Sequence, residues 1–440
     1  MIYNTKEVSR GFTLITAKTN KFKSETLNVH FLVPLEGSPY NEVLLPNVMS
    51  QGCSKYPTRR VLRKCLDRLF SSSVSVFLPT FGNYMSVCFS SSYLKNVYAY
   101  DGSDIAKGTS DVLWELMLKP LITDGGFSLE YTEREKKNKC DALLAAINNK
   151  DSYASNRCFQ LMCEGEPVSF LYSTDTAPYE NITPQSLYKS YLEMLSHCPV
   201  KMTYVGENTE LAEELAYKLS ESLGEQRREF CLTAERKIPE KIRYFEEKHS
   251  VKQARLVIGF RDDISTPDDI YIKAVFDELY GQSPVSKLFC NVREKLSLCY
   301  YCSSGRSHET GIMAVRTGIK AENKDRAYEE ILRQLDLVKN GDFTEEELEN
   351  AKRGFANQAL SVFDSPDGIA ASMFKSSLRG KILTQKEENE KIIEKFLQKK
   401  YSNINKLGNK TDTKVIIIGI FNAINTKPFL SNNHLNQFPL

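Results

Sequence analysis

The spacing of apolar residues along the chain predicts a mixture of amphipathic helices and half-buried strands. Apolar residues recur at helical spacing over residues 61–69 and again over residues 331–338. The alternating pattern over residues 84–89 and 312–317 is typical of strands with one buried face. Strands and helices are mixed without a steady β-α alternation. This order favours an α+β fold in which a mainly antiparallel sheet is covered by helices.

The same elements occur twice along the chain. An offset of 216 residues superimposes residues 127–133 on residues 343–349. Each copy predicts a helix N-cap, at Ser128 or Thr344, followed by a long charged helix. Self-similarity of this kind indicates an internal duplication with two homologous structural units.

The duplication divides the chain into two tandem homologous domains. We expect the first over residues 1–224 and the second over residues 248–425. The stretch 225–247 is rich in charge and contains Pro239, which is typical of a linker. Residues 426–440 are polar and contain two prolines, so we expect a loose tail there.

The charge balance and the short apolar runs argue against some classes of protein. The chain has 58 basic and 56 acidic residues, and this balance gives neither a nucleic-acid-binding nor a membrane-surface field. Its longest aliphatic run, residues 415–418, is far too short to span a bilayer. The N-terminus lacks the long apolar region of a signal peptide. We therefore expect a soluble, cytoplasmic protein.

The eleven cysteines and five histidines form no metal-binding motif. The single Cys-x-x-Cys joins Cys299 and Cys302 inside a predicted strand. Residues three apart on a regular strand point to opposite faces, so we do not expect these thiols to share a metal. Reduced structural thiols fit the pattern better. His30 lies in a predicted strand, where a structural role is favoured over metal ligation.

One pair of polar residues offers binding chemistry. The helical spacing of Leu288 and Val292 places Arg293 on a helix, and the apolar run 298–302 predicts a strand that includes Tyr300. The two side chains could point into one space, where a guanidinium fork and a hydroxyl suit a backbone carbonyl or carboxylate. A solvated arginine and a core tyrosine explain the same residues, and these residues alone favour that plainer interpretation.

The duplicated chain, with its stretch Ser286-Lys-Leu-Phe leading to Arg293 and Tyr300, resembles the M16 family of zinc peptidases, relatives of mitochondrial processing peptidase and pitrilysin. The resemblance covers both repeats and implies a LuxS/MPP-like metallohydrolase fold in each. Residues 148–167 and 182–191 resemble a non-catalytic bacterial branch found beside an active M16 partner. That branch is associated with 5-aminopentanol modification of elongation factor P.

The resemblance also shows what is missing. Active members carry His-x-x-Glu-His on the first helix, where two histidines bind zinc and the glutamate activates water, and a third ligand on the long helix. Counted back from Gly52, these positions hold residues that cannot ligate zinc in this way: Val43, Pro46, Asn47 and, for the third ligand, Ala145 or Ala146. The resemblance therefore implies no cofactor in this chain and zinc in a partner subunit.

In the family, the zinc-bearing domain faces an Arg/Tyr pair from a second half or a partner. Arg293 and Tyr300 occupy those positions. The resemblance thus implies a non-catalytic, substrate-binding subunit of a heterodimeric M16-type metallopeptidase, which acts on peptides together with a zinc-bearing paralogue. A glycine-rich substrate loop is not supported, because residues 280–286 contain Gly281 as their single glycine.

Two other interpretations stay open. The chain could be a structural or adaptor protein that kept the M16 fold without any role in proteolysis, as the core subunits of the respiratory bc1 complex did. It could also be an active peptidase with a non-standard metal site, an interpretation that only the scattered histidines and cysteines support. Retention of both Arg293 and Tyr300 favours the subunit interpretation over the scaffold.

Overall fold

A computed structural model describes most of both halves of the chain. It describes residues 1–224, 227–231, 242–249, 253–262, 269–384, 386–387, 390 and 415–422. The expected tail at 426–440, together with residues 225–226 and 232–241 of the expected linker, lies outside the described residues.

The first half forms a seven-stranded sheet covered by helices. Its strands are β1 (Ile2–Ser9), β2 (Phe12–Lys18), β3 (Ser24–Pro34), β4 (Ser73–Phe77), β5 (Thr80–Phe81), β6 (Tyr84–Leu94) and β9 (Val200–Gly206), while β7 (Ile122–Thr123) and β8 (Gly126–Phe127) pair separately. Its helices are α1 (Tyr40–Met49), α2 (Arg59–Arg68), α3 (Ile105–Leu118), α4 (Leu129–Ala145), α5 (Lys150–Met162), α6 (Ala177–Glu180), α7 (Pro184–His197) and α8 (Thr209–Leu223). The order is β1-β2-β9-β3-β6-β4, with β5 beside β6, and β2 and β9 are its parallel pair.

The second half forms a five-stranded sheet of the same kind. Its strands are β10 (Arg243–His249), β11 (Ala254–Arg261), β12 (Cys299–Ser307), β13 (Ile312–Ile319) and β14 (Val415–Asn422). Its helices are α9 (Asp269–Asp277), α10 (Lys324–Lys339), α11 (Glu345–Ser361) and α12 (Pro366–Leu378), with π-helical turns at Glu278–Gln282 and Leu288–Lys295. Among the described residues, none of the helices combines the length and the apolar character needed to cross a bilayer.

The topology confirms the mainly antiparallel α+β fold and repeats it in both halves. The strand order β2-β9-β3-β6-β4 of the first sheet recurs as β10-β14-β11-β13-β12 in the second, each with a parallel first pair. Helices α4 and α11 are both 17 residues long and begin 216 residues apart. Their caps form as expected, because Ser128 and Thr344 accept hydrogen bonds from the third residue of each helix.

The sequence did not predict strands β1, β2 and β10. Strand β2 is buried along nearly its whole length, so it lacks the alternation that marks a half-exposed strand, and the polar strand β1 pairs with it at the sheet edge. Strand β10 begins at Arg243, so the last five residues of the expected linker belong to the second sheet. The charged sequence of β10 does not mark it as a strand, and its residues alternate between half-buried and exposed.

The two halves exchange one helix each. Helix α5, from the first half, packs on the second sheet, where its Ala154 and Cys158 form a buried cluster with Val257 of β11 and Ala314 of β13. Helix α12, from the second half, packs on the first sheet, where its Met373 contacts the cluster formed by β2 and β9. These helices also begin 216 residues apart. The exchange makes each half part of the other's core.

Close packing and polar contacts fix the exchanged helices. A Cβ atom added to Gly259 of β11 would lie 2.7 Å from the sulfur of Met162, so a larger residue there would displace the Met162 side chain of α5. The Nε of Arg316 donates to the Ser155 hydroxyl at 3.0 Å. On the other side, the Thr26 hydroxyl donates to Asp367 at 2.8 Å. Each half therefore holds the other's helix through both its core and its polar groups.

His30 belongs to the interface between the first sheet and α12. Its ring is buried and stacks on Phe374 with the ring centroids 3.7 Å apart. Its Nδ1 is hydrogen-bonded to the Ser86 hydroxyl at 3.1 Å, and its Nε2 lies 3.7 Å from the Cys88 sulfur. Burial lowers the pKa of His30 to about 3. These contacts support the structural role expected from the sequence.

A neutral buried histidine makes stability depend on pH. The folded-state pKa lies below the ordinary value of 6.5, so between those two values the unfolded chain binds a proton that the folded chain does not. The contribution of neutral His30 to stability is therefore fully present above about pH 6.5 and is lost as the pH falls towards 3. Replacing His30 by glutamine should reduce the slope of unfolding free energy against pH, over about pH 4.5–5.5, by about 1.4 kcal/mol per pH unit.

The measurement is urea unfolding of both proteins at several pH values. His308, whose pKa is lowered to about 4 by burial and by Arg306, contributes a slope to both proteins and serves as the internal reference. Equal slopes in wild type and variant would show that His30 is not held neutral in the folded state.

Candidate functional site

The positions aligned with the zinc motif lie on α1, and they differ in burial. Val43 is half-buried, Pro46 is buried and Asn47 is exposed. Pro46 lies inside the helix, three residues before its end, and cannot donate a backbone hydrogen bond to the preceding turn. None of these three side chains offers the imidazole or carboxylate that zinc requires.

Helix α4 passes near the end of α1 at a carboxylate that accepts three hydrogen bonds. Gln51, just beyond α1, donates to the buried Glu135 at 3.2 Å, and Arg134 and Asn138 donate to the same carboxylate. Ala145 is the exposed last residue of α4 and lies about 15 Å further along its axis, at 1.5 Å per residue. Within the described residues, no cluster of three or more His, Cys, Asp or Glu side chains suits a metal ion.

The structure brings Arg293 and Tyr300 together. Arg293 lies on the π-helical turn Leu288–Lys295, which is anchored in the core by the buried Leu288 and Val292. A turn through Ser297, which has a φ of 47°, leads into β12. The Nε of Arg293 then donates to the backbone carbonyl of Tyr300 at 3.0 Å. We name this pair the Arg/Tyr clamp.

A β-bulge presents Tyr300 to solvent. Opposite β13, Cys299 pairs with Ile319 and Tyr301 with Gly318, so Tyr300 is the extra residue between them. Bulges redirect side chains and occur often at functional edges. The Tyr300 residue is 59% exposed, which is unusual for a large aromatic residue and contradicts the plainer interpretation of a core tyrosine.

The guanidinium of Arg293 is fixed by neighbouring groups but keeps N–H donors available for a ligand. It stacks over the Phe289 ring at 4.5 Å, and its Nη1 lies 3.3 Å from the Glu294 carboxylate. Three of its five N–H groups have no partner within the described part of the chain. A partly exposed donor fork held at the backbone of an exposed tyrosine offers groups that can bind a peptide carbonyl or carboxylate.

Asp151 connects β12, the strand that carries Tyr300, to the first half, a role that the sequence did not reveal. It lies in the first turn of the exchanged helix α5, accepts a hydrogen bond from the Tyr301 hydroxyl and lies 2.6 Å from the Nε of Arg255. Burial and this carboxylate raise the pKa of Tyr301. Asp151 was visible only as a repeat landmark, because its partners depend on the exchange of helices.

The expectation that Cys299 and Cys302 face opposite sides of the strand is wrong. Cys302 pairs with Thr317 of β13, two residues from the partner of Cys299, so both cysteines lie on one face of β12. Because Tyr300 is an extra residue in the strand, Cys299 and Cys302 pair with alternate residues of β13 although they are three apart in sequence. No glycine or proline marks this bulge in the sequence.

The single glycine of residues 280–286 is buried, although other residues of this region are exposed. Gly281 is buried in the π-helical turn Glu278–Gln282. An added Cβ atom would lie 2.6 Å from the Ser304 hydroxyl and 2.7 Å from Leu288. This glycine therefore allows close packing against β12.

Comparison with known proteins finds similar sequences. The sequence profile of the family described as "Peptidase M16 inactive domain" matches residues 181–355. The "Probable inactive metalloprotease YmfF" of Bacillus subtilis (strain 168) is 28% identical over 371 residues, which cover 83% of this chain and 87% of that protein. The "Uncharacterized zinc protease YmxG" of the same organism is 28% identical over 133 residues, covering 30% and 32% of the two chains.

A solved structure shows the same fold over nearly the whole chain. The crystal structure described as a peptidase M16 inactive domain from Pseudomonas fluorescens superimposes with a TM-score of 0.81 at 17% identity, covering 97% of this chain and 100% of the other. The chain is therefore similar in sequence to the M16 inactive-domain family and to a probable inactive metalloprotease, and it has the fold of an M16 inactive domain.

Proposed function

We propose that this chain is the non-catalytic, substrate-binding subunit of a heterodimeric M16 peptidase. The observation that carries the proposal is a preassembled Arg/Tyr clamp in a chain whose zinc-motif positions hold Val43, Pro46 and Asn47. The contact between Arg293 and the Tyr300 backbone supports a substrate-binding role, and Val43, Pro46 and Asn47 offer no imidazole or carboxylate for zinc. A subunit that completes another chain's site accounts for both facts.

The clamp has the chemistry that peptide hydrolysis needs beside a metal. Attack on a peptide bond places negative charge on the former carbonyl oxygen. Donors already directed at that oxygen stabilise the transition state by several kcal/mol, because they need no reorganisation and act where water is excluded. Tyr300 offers a hydroxyl and Arg293 a charged fork, and Arg293 is fixed to the Tyr300 backbone.

The partner would supply the zinc. The relative YmxG is named a zinc protease, so zinc-type and inactive-type M16 chains are both related to this sequence. In a pair of this kind, zinc in the paralogue would activate water, while this chain would bind and orient an extended peptide. The role of elongation factor P modification stays a prediction from the resemblance.

Reconstitution tests the proposal. The tagged chain is isolated from its native cells, and the zinc-bearing paralogue that accompanies it is purified. We expect this chain alone to hydrolyse no unstructured peptide, and the mixture to do so until a chelator is added. Chelator-sensitive hydrolysis by this chain alone would overturn the proposal and favour a non-standard metal site. A stable pair without hydrolysis would favour the scaffold alternative.

A further inference from the structure

Cys299 and Cys302 lie side by side on the inner face of β12. They pair with Ile319 and Thr317, alternate residues of β13, and alternate residues of a strand share a face. Cys302 is buried in the core of the second half, and Cys299 is half-buried and packs against the same cluster. Tyr300, the bulged residue, lies between the two cysteines in sequence and points to solvent.

The two thiols are chemically unequal. A hydrogen bond from the Cys302 thiol, with further contributions from Thr317 and Arg293, lowers the pKa of Cys299. The same bond and burial raise the pKa of Cys302. A partly exposed thiol with a lowered pKa beside a buried thiol with a raised pKa is the arrangement found in redox-active pairs.

We propose that Cys299 and Cys302 form a redox-active dithiol that closes reversibly to an intramolecular disulfide across the Tyr300 bulge when a peroxide is present. The Cys299 thiolate attacks one oxygen of hydrogen peroxide, the O–O bond breaks, and the leaving hydroxide takes a proton to become water. The Cys302 sulfur then attacks the resulting sulfenic sulfur, and the sulfenic hydroxyl leaves with the Cys302 proton as a second water. Two thiols lose two electrons, and one peroxide becomes two waters.

Exchange with two equivalents of a low-molecular-weight thiol reverses the oxidation. The disulfide would enclose Tyr300 in a small ring and fix the bulge on which the clamp is built. This consequence for the clamp rests on the proposed function, whereas the dithiol itself does not.

Peptide mapping of the full-length chain tests the dithiol. The protein is treated with a small excess of hydrogen peroxide at pH 7, alkylated with a maleimide in denaturant, digested and analysed by mass spectrometry. We expect the peptide that carries both cysteines to lose two hydrogens and to escape alkylation at both, and dithiothreitol to restore both sites. Replacing Cys302 by serine should trap the sulfenic acid of Cys299, which a dimedone probe detects.

Cys290 is the matched control. It is exposed and lies on the adjacent π-helical turn, but burial of its sulfur, Glu347 and Glu294 raise its pKa. It should remain alkylated under conditions that oxidise Cys299. Oxidation of Cys290 while Cys299 and Cys302 both remain alkylated would overturn the inference. Because no peptide hydrolysis is measured, this failure would be distinct from a failure of the proposed function.

Discussion

Replacing Tyr300 by phenylalanine in the reconstituted complex is expected to lower kcat by about 100-fold, the usual cost of losing one oxyanion donor. The substitution keeps the aromatic ring and the backbone carbonyl that Arg293 holds, so the clamp geometry survives and only the hydroxyl is lost. A larger effect on kcat than on KM would locate the hydroxyl's contribution in the transition state. The measurement is steady-state hydrolysis of an unstructured peptide.

Replacing Arg293 by lysine extends this prediction. Lysine keeps the charge but loses the planar fork, and with it the bond to the Tyr300 carbonyl, so both kcat and KM should worsen. Tyr100 and Arg63 provide matched controls, because both are exposed and lie far from the clamp in sequence. Tyr100→Phe and Arg63→Lys should leave turnover within about twofold of wild type. Unchanged turnover in the clamp variants would favour the scaffold alternative.

Replacing Glu166 by alanine is expected to lower the free energy of unfolding by about 3–5 kcal/mol, because it leaves a buried charge without its partner. Glu166 follows the exchanged helix α5 and pairs with Arg261 at the end of β11, and the two side chains are only 2% and 0% exposed. Arg261 also donates to the Met162 carbonyl. The pair therefore joins the two halves inside the core.

Chemical denaturation of two further variants separates the buried charge from ordinary loss of an ion pair. Glu229→Ala breaks an exposed pair with Arg10 and should cost less than about 1 kcal/mol. In the double variant Glu166→Met with Arg261→Met, an apolar pair replaces the ionic one, and most of the lost stability should return. A Glu166→Ala protein within 1 kcal/mol of wild type would mean that the exchange of helices does not depend on this pair.

The duplication could be predicted from the sequence because it depends on residues that are close together in the chain. The caps at Ser128 and Thr344 and the 216-residue offset depend on residues near one another in the chain, and the structure confirms both. The exchange of α5 and α12 was not readable. Periodicity shows which face of a helix is apolar, but it does not show which sheet covers that face.

The candidate site was likewise predicted only in part from the sequence. The resemblance to M16 peptidases selected Arg293 and Tyr300, and the structure places them in contact. Their contact depends on a β-bulge that no glycine or proline announces, and the same bulge reversed the expected placement of Cys299 and Cys302. The role of the clamp in substrate binding stays a prediction.

A titration of the reconstituted peptidase tests the central claim most directly. The zinc-bearing paralogue is held at one concentration, this chain is added in steps, and the rate of hydrolysis of an unstructured peptide is recorded. A non-catalytic subunit predicts that hydrolysis is negligible without this chain, rises in proportion to it and reaches a plateau at equimolar chains. Full hydrolysis by the paralogue alone, unchanged as this chain is added, would contradict the account.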